Sequence, residues 1–116
     1  MKTREKRDAI IGMQVKVIVD RPKGTTHPNF PDTIYSVNYG YVEGTFAGDD
    51  EYQDVYILGV EERVQYFDGE VIAIIHRNND IENKWIVVPY GMRFTKEEIS
   101  KTIYFQEQYF EIDIEL

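Results

Sequence analysis

Residues 95–110, TKEEISKTIYFQEQYF, contain the one helix that the sequence predicts, and they set the fold class together with the strands that precede them. Thr95 and Glu98 have the spacing of a capping box, in which each side chain bonds the backbone amide of the other residue at the start of a helix. One mostly apolar face of this helix carries Ile99, Ile103, Gln106 and Phe110. We expect that face to pack on the rest of the domain.

Short segments rich in β-branched and aromatic residues lie before the helix and predict strands. They are residues 15–19, 34–46, 55–60 and 84–88. Residues 20–33 contain three prolines and are expected to form a loop or irregular arm. Apolar residues alternate with acidic ones over residues 112–116, which predicts a last strand after the helix.

A hairpin is predicted around Asp68-Gly69, because this dipeptide suits a tight turn between residues 64–67 and 71–75. The chain lacks the crossover helices that a parallel βαβ fold needs. The predicted class is therefore mainly β (α+β), a small antiparallel, OB-like β-barrel with one C-terminal helix packed on it. We expect a single domain over residues 1–116, with 1–8 as a flexible basic terminus.

The net charge limits the partners. The chain has 13 Lys and Arg against 21 Asp and Glu, a formal charge of −8. Such a body repels nucleic acid and anionic membranes. The absence of cysteine excludes disulfides and thiolate zinc sites, and no apolar run is long enough for a membrane span. We expect a cytoplasmic protein with no nucleic-acid or membrane partner, and self-association into a homo-oligomer stays open.

Two acidic turns are the candidate metal ligands. Four carboxylates fall within residues 49–54, and Asp80 and Glu82 form a second acidic turn. Crowded carboxylates destabilise a fold unless a cation neutralises them, and hard oxygen ligands favour Mg²⁺, Mn²⁺ or Ca²⁺. Each turn taken alone also fits an ordinary solvated turn. Similarly, the even spacing of Tyr35, Tyr39 and Tyr41 fits either barrel packing or a row of hydroxyl donors.

The sequence resembles the soluble, metal-dependent inorganic pyrophosphatases with a small β-barrel core. The strongest match is Tyr35–Val42, YSVNYGYV, which is similar to the strand Y-P-x-N-Y-G-Y-I of that family. Asp49–Asp54 resembles the D-G-D-P-x-D metal loop, and Asp20–Gly24 resembles the segment E-I-P-K-G. Glu82–Lys84 looks like the D-x-K turn, and Phe105–Tyr109 like an aromatic helix that ends in a substrate-binding Tyr.

The resemblance implies Mg²⁺-dependent hydrolysis of inorganic diphosphate, with Mn²⁺ as a substitute ion and a small phosphate compound as the substrate. It implies these metal ligands: Asp49, Asp54, Glu82, Asp80 and Glu51. Glu51 would also activate the attacking water, and Tyr39 would support the site by hydrogen bonding. The substrate-binding candidates are Lys84, Tyr109, Tyr35 and Lys23.

Several residues depart from the family pattern and predict a weak enzyme. Phe110 stands where the family has a phosphate-binding Lys, and residues 25–33 contain no Arg or Lys. Arg77, Arg93 or Lys23 are the candidate replacements, and F110K is expected to raise hydrolysis if Tyr109 lies in the site. The alternative is a non-catalytic barrel of the same kind that binds a metal–phosphate ligand or a protein partner.

Overall fold

A computed structural model describes residues 10–43, 52–78 and 82–116 of the chain. The strands and the helix with described bounds are, in chain order, β1 (Gln14–Arg21), β2 (Asn38–Val42), β3 (Gln53–Ile57), β4 (Tyr66–Arg77), β5 (Asn83–Val88), α1 (Lys96–Glu107) and β6 (Ile112–Glu115).

The strands close into a barrel in the order β1-β2-β3-β5-β4, because β4 pairs with β1 as well as with β5. All of these pairs are antiparallel except β3 with β5, which are parallel. The parallel pair needs no crossover helix. Along the chain, β4 follows β3 and precedes β5, and because it runs antiparallel to β5 it returns the chain to the end of the barrel at which β3 begins. The predicted fold class, a small OB-like barrel with one C-terminal helix, is confirmed, and the barrel is mixed rather than fully antiparallel because β3 and β5 run parallel.

Alternation along β3 and β5 divides the apolar core into two clusters. Val55, Ile57 and Val87 belong to a cluster with contributions from all five barrel strands, which fills the barrel interior. Tyr56 and Ile86 face the other way, into a cluster that includes helix residues and lies between barrel and helix. Both faces of these strands are therefore buried, which explains why their sequences are almost continuously apolar.

The hairpin predicted around Asp68-Gly69 is wrong. These two residues lie inside β4, a continuous strand of 12 residues. One edge of β4 pairs first with β1, through Phe67 to Val17, and then with β6, through Ile75 to Ile114. The strand must be long to serve both neighbours. Gly69 allows close approach rather than a turn, since a Cβ there would lie 2.5 Å from the carbonyl oxygen of Val88.

The helix begins as the sequence predicts. The amide of Glu98 donates to Thr95 Oγ1 at 3.1 Å, and the amide of Thr95 donates to Glu98 Oε1 at 2.8 Å. The buried residues of α1 include Ile99 and Ile103, which pack on the barrel. The predicted last strand is also present, as β6. Across the described ranges, no helix is both long and apolar enough to cross a membrane.

Candidate active site

A cavity of about 430 Å³ lies where the barrel meets the arm of residues 22–37 and the segment that follows α1. Its walls combine three cationic side chains, two carboxylates and several aromatic rings. The lining residues are Arg21, His27, Phe30, Thr33, Tyr39, Asp54, Arg77, Glu82, Lys84, Gln106, Tyr109 and Phe110. Six of the candidates named from the sequence meet here: Tyr39, Asp54, Arg77, Glu82, Lys84 and Tyr109.

Lys84 lies at the centre of the polar wall. Its Nζ donates to Asp54 Oδ2 at 2.7 Å and to Glu82 Oε1 at 2.6 Å. Burial alone would lower the pKa of Lys84, but the Tyr39 hydroxyl and the two carboxylates outweigh burial and raise it. The ammonium is therefore charged at neutral pH. Side chains from β3 and from the start of β5 thus converge on one point in the cavity.

Tyr39 lies beside this cluster and is almost fully buried. The Lys84 Nζ is 5.6 Å from the centre of the Tyr39 ring. Burial raises the pKa of Tyr39 well above its ordinary value, although the nearby positive charge of Lys84 partly opposes the shift. Its hydroxyl is therefore a neutral hydrogen-bonding group across the physiological pH range, and it does not act as a base.

Arg21 enters the cavity from the end of β1 and is held by a buried tyrosine. Arg21 Nη1 donates to the Tyr35 hydroxyl at 2.7 Å. Tyr35 is fully buried, and its hydroxyl donates to Gln106 Oε1 at 2.8 Å. The Tyr35 hydroxyl thus bonds within the protein on both sides, and it fixes the guanidinium of Arg21 to the last turn of α1.

Arg77 enters the cavity from the end of β4 and is held by the last residue of α1. Its Nε and Nη2 donate to the two carboxylate oxygens of Glu107 at 3.0 and 2.6 Å. Both side chains are buried, with exposed fractions of 7% and 1%. Tyr56 also donates to Glu107, at 2.5 Å, and receives a bond from Gln106 at 2.6 Å. Paired geometry of this kind compensates the large cost of burying two charges.

These bonds form one continuous chain between the barrel and α1, which we call the polar chain. Its members, in bonding order, are Arg21, Tyr35, Gln106, Tyr56, Glu107 and Arg77. Gln106 and Glu107 come from the last turn of α1, whereas the other four come from the barrel or the arm. The helix end therefore positions two guanidinium groups on the cavity wall.

Phe110 supports Arg77. The Arg77 guanidinium lies over the Phe110 ring at 3.7 Å from its centre, and the Phe110 amide donates to the carbonyl of Glu107 at 3.0 Å. The neighbouring Tyr109 also lines the cavity and is 69% exposed. Where the family pattern has a lysine after this tyrosine, the chain thus has a ring that packs against an arginine from β4.

The other sequence candidates lie elsewhere or outside the described residues. Lys23 is not among the lining residues, and its Nζ donates to the carbonyl oxygen of Glu61 at 3.1 Å. Arg93 is bound to Glu70 at 3.0 Å, beside a different cavity. Asp49, Glu51 and Asp80, which the resemblance makes metal ligands, lie outside the described residues, so their assignment stays a prediction.

The donor atoms present fit a divalent cation in type. Asp54 and Glu82 offer hard oxygen ligands, and both already bind one positive charge, the ammonium of Lys84. The 96 residues in the described ranges contain no group of three or more His, Cys, Asp or Glu side chains that could hold a metal ion. A complete ligand set would therefore need carboxylates from residues 44–51 or 79–81.

Solved structures with a similar fold come from three bacteria, among others. The inorganic pyrophosphatase of Neisseria gonorrhoeae has a TM-score of 0.61 at 18% identity, over 84% of this chain and 74% of that chain. This chain has the fold of an inorganic pyrophosphatase. The enzymes of Coxiella burnetii (TM-score 0.62, 16% identity, 90% and 84% of the chains) and Ehrlichia chaffeensis (0.63, 16%, 89% and 85%) have it as well.

The likeness is one of fold. The chain matches no protein-family model and no curated protein sequence, and one fold hosts many functions. Function must therefore be argued from the site. The sequence alone did not predict the polar chain that lies there. Gln106 and Glu107 gave a signal that could have revealed it, because a polar residue on the apolar face of a helix requires a buried partner.

The Arg77–Glu107 pair predicts a strong effect on stability. E107Q would remove the buried carboxylate that pairs with the Arg77 guanidinium, and breaking such a buried pair costs about 3–5 kcal/mol. Urea unfolding should show this loss in the free energy of unfolding. The matched control is E111Q, because Glu111 is exposed just beyond the helix. A loss for E107Q no larger than that for E111Q would contradict the buried pair.

The packing of Phe110 also changes the expected outcome of F110K. The new ammonium would replace the ring under Arg77 with a like charge, so we expect a loss of about 1–3 kcal/mol in stability and no gain in diphosphate hydrolysis. F110Y is the control, since it keeps the ring. A rise in phosphate release with an unchanged melting temperature would contradict this arrangement.

Proposed function

We propose that this chain hydrolyses inorganic diphosphate to two phosphates in a Mg²⁺-dependent reaction. One observation carries the proposal: Asp54, Glu82 and Lys84 converge, within hydrogen-bond distance, on a cavity that also holds two guanidinium groups. Carboxylates for a cation and cations for phosphate oxygens are the two requirements of phosphoanhydride hydrolysis. The pyrophosphatase fold supports the same assignment.

The carboxylates are proposed to hold the metal. Asp54 and Glu82 would do so together with Asp49, Glu51 and Asp80, which the resemblance supplies. Bound there, Mg²⁺ would lower the pKa of a water molecule and neutralise part of the substrate charge, and Mn²⁺ would serve in the same way. The reaction requires this neutralisation, because a chain with a net charge of −8 repels diphosphate.

The cationic side chains are proposed to bind the phosphate oxygens. Lys84 is a compact donor, whereas Arg21 and Arg77 present planar donors that can bind two oxygens of one phosphate. The polar chain holds both guanidinium groups in place before the substrate arrives. Lys23, which sequence reasoning favoured, is then replaced in this role by residues of the cavity wall.

The tyrosines have different proposed roles. Tyr39 donates a neutral hydroxyl next to Lys84, and Tyr109 presents its exposed side chain to the substrate. Tyr35 acts indirectly, because its hydroxyl is already bonded to Arg21 and to Gln106. It is a positioning residue for the Arg21 guanidinium.

The proposed hydrolytic step uses a water molecule as the nucleophile. Glu51 takes a proton from the water molecule while the oxygen of the water bonds to one phosphorus atom of the diphosphate. The bond between that phosphorus and the bridging oxygen breaks, and the second phosphate leaves with the bonding electron pair. Lys84, Arg21 and Arg77 stabilise the negative charge that grows on the phosphate oxygens during this step.

A non-catalytic binding module is the second candidate, and one observation favours it. Asp54 and Glu82 share the ammonium of Lys84, so both carboxylates have a cationic partner without a metal. Such a site would bind a phosphate compound through its arginines and would release no product.

Metal binding should be visible as thermal stabilisation. A ligand at 100 times its Kd stabilises the native state by about 2.7 kcal/mol, so millimolar Mg²⁺ or Mn²⁺ should raise the melting temperature by several degrees. Na⁺ at equal ionic strength is the salt control, and D54N should reduce the shift. A melting temperature that responds to diphosphate but not to either metal would favour the binding module.

Turnover tests the enzyme directly. Phosphate release from diphosphate in Mg²⁺ should fall by about 100-fold or more in E51Q, because glutamine keeps the size of the side chain but takes no proton. E43Q provides the control, since Glu43 is an exposed residue that does not line the cavity. If E51Q retains the rate of E43Q, another group is the base, and no release from the unaltered protein would contradict the enzyme.

A further inference from the structure

The mouth of the cavity has two exposed aromatic side chains whose apolar ring surfaces inorganic diphosphate does not use. Phe30 is 61% exposed and Tyr109 is 69% exposed, and both line the cavity. Their rings provide apolar surface on which a planar organic group of a ligand can pack. Inorganic diphosphate contains no carbon and gains little from such a surface.

Phe30 is presented by a tightly bonded turn in the arm. The amide of His27 donates to the carbonyl of Thr33 at 2.8 Å, and the amide of Thr33 donates to the carbonyl of Phe30 at 2.9 Å. The amide of Asn29 donates to His27 Nδ1 at 3.0 Å. The His27 ring also packs on Phe30, with their centres 4.9 Å apart. The turn therefore holds the Phe30 ring in a defined place at the cavity.

The chain position of Tyr109 is set by its neighbours at the end of α1. In the sequence, Tyr109 lies between Glu107, which is the buried partner of Arg77, and Phe110, whose ring packs under the Arg77 guanidinium. The polar chain thus places Tyr109 at the cavity as well as Arg77. Two aromatic rings, one from the arm and one from the segment that follows α1, line the same cavity as the three cationic side chains.

We propose that the site takes a nucleoside diphosphate, whose phosphates bind Arg21, Lys84 and Arg77 while its base packs on Phe30 and Tyr109. This inference rests on the proposed function and names the substrate class. A cavity of about 430 Å³ is within the range of sites for organic ligands, which combine apolar walls with a few polar groups. Stacking of a base on an aromatic side chain changes affinity by about 5- to 150-fold.

The reaction with this substrate has the same balance as that with diphosphate. The oxygen of water bonds to the terminal phosphorus, and the bond from that phosphorus to the bridging oxygen breaks. The bridging oxygen leaves with the nucleoside monophosphate, and the other product is phosphate. The proton of the water molecule passes to the carboxylate that acts as general base and then to solvent. No oxidation or reduction occurs.

Isothermal titration in Mg²⁺ with two non-hydrolysable ligands tests the inference independently of turnover. The ligands are the α,β-methylene analogue of ADP and methylenediphosphonate, which differ by the nucleoside. The unaltered protein should bind the nucleotide analogue about 5- to 150-fold more tightly. F30A should weaken the nucleotide analogue by at least about 5-fold and leave methylenediphosphonate within about 2-fold, whereas Y109A should weaken the nucleotide analogue by at least about 5-fold more than it weakens methylenediphosphonate.

The controls separate the ring from other effects. Y104A removes an equally exposed tyrosine from α1 that does not line the cavity, and it should change neither affinity. Y109F removes only the hydroxyl, so selectivity for the nucleotide should persist. Retained binding of methylenediphosphonate also shows that each variant is folded.

Each outcome has one meaning for this inference. Equal affinities for the two ligands, or equal losses of both in F30A and Y109A, would overturn it. Binding of neither ligand would overturn it together with the proposed function. Selective binding of the nucleotide analogue without release of phosphate from ADP or diphosphate would support it and would overturn only the proposed hydrolysis.

Discussion

The buried ion pair between Arg77 and Glu107 is the interaction on which the arrangement of the cavity depends. Two opposite charges lie between the barrel and α1 with almost no exposure to solvent. Each would be very costly alone, so the pair must form whenever the helix docks. This requirement fixes the last turn of α1 against the end of β4, whereas apolar packing of Ile99 and Ile103 tolerates small shifts.

The polar chain extends this constraint across the interface to Arg21. Tyr56 and Gln106 connect the ion pair to Tyr35, and the Tyr35 hydroxyl holds the guanidinium of Arg21. Hydrogen bonds in a low-dielectric interior strengthen one another, and a buried network specifies one geometry when every member is satisfied. The same hydrogen bonds therefore orient α1 on the barrel and place the two guanidinium groups on the cavity wall.

The sequence predicted the fold well because its signals were local. The capping box at Thr95, the alternation in β1 and the last strand depend on neighbouring residues and were confirmed. The predicted hairpin at Asp68-Gly69 was wrong because Gly69 allows close contact with β5, which is distant in sequence. Turn propensity depends only on neighbouring residues and does not reveal such a contact.

The candidate site was predictable only where a motif repeated the family pattern. Tyr39, Asp54, Glu82 and Lys84 meet in the cavity as the motifs imply. Arg21 and the pairing of Arg77 with Glu107 were not assigned from the sequence, because their partners lie 14 and 30 residues away along the chain. Only the closed barrel and the docked helix bring these side chains together.

A double-mutant cycle between Tyr35 and Tyr56 tests the central claim, that the polar chain acts as one unit. Y35F and Y56F each remove one hydroxyl on either side of Gln106 and preserve the rings. We expect the loss of stability of the double variant in urea unfolding to be about 0.5–3 kcal/mol smaller than the sum of the two single losses. Either single variant already breaks the polar chain at Gln106, so the second substitution has less left to remove. Losses that add to within about 0.3 kcal/mol would contradict a connected chain.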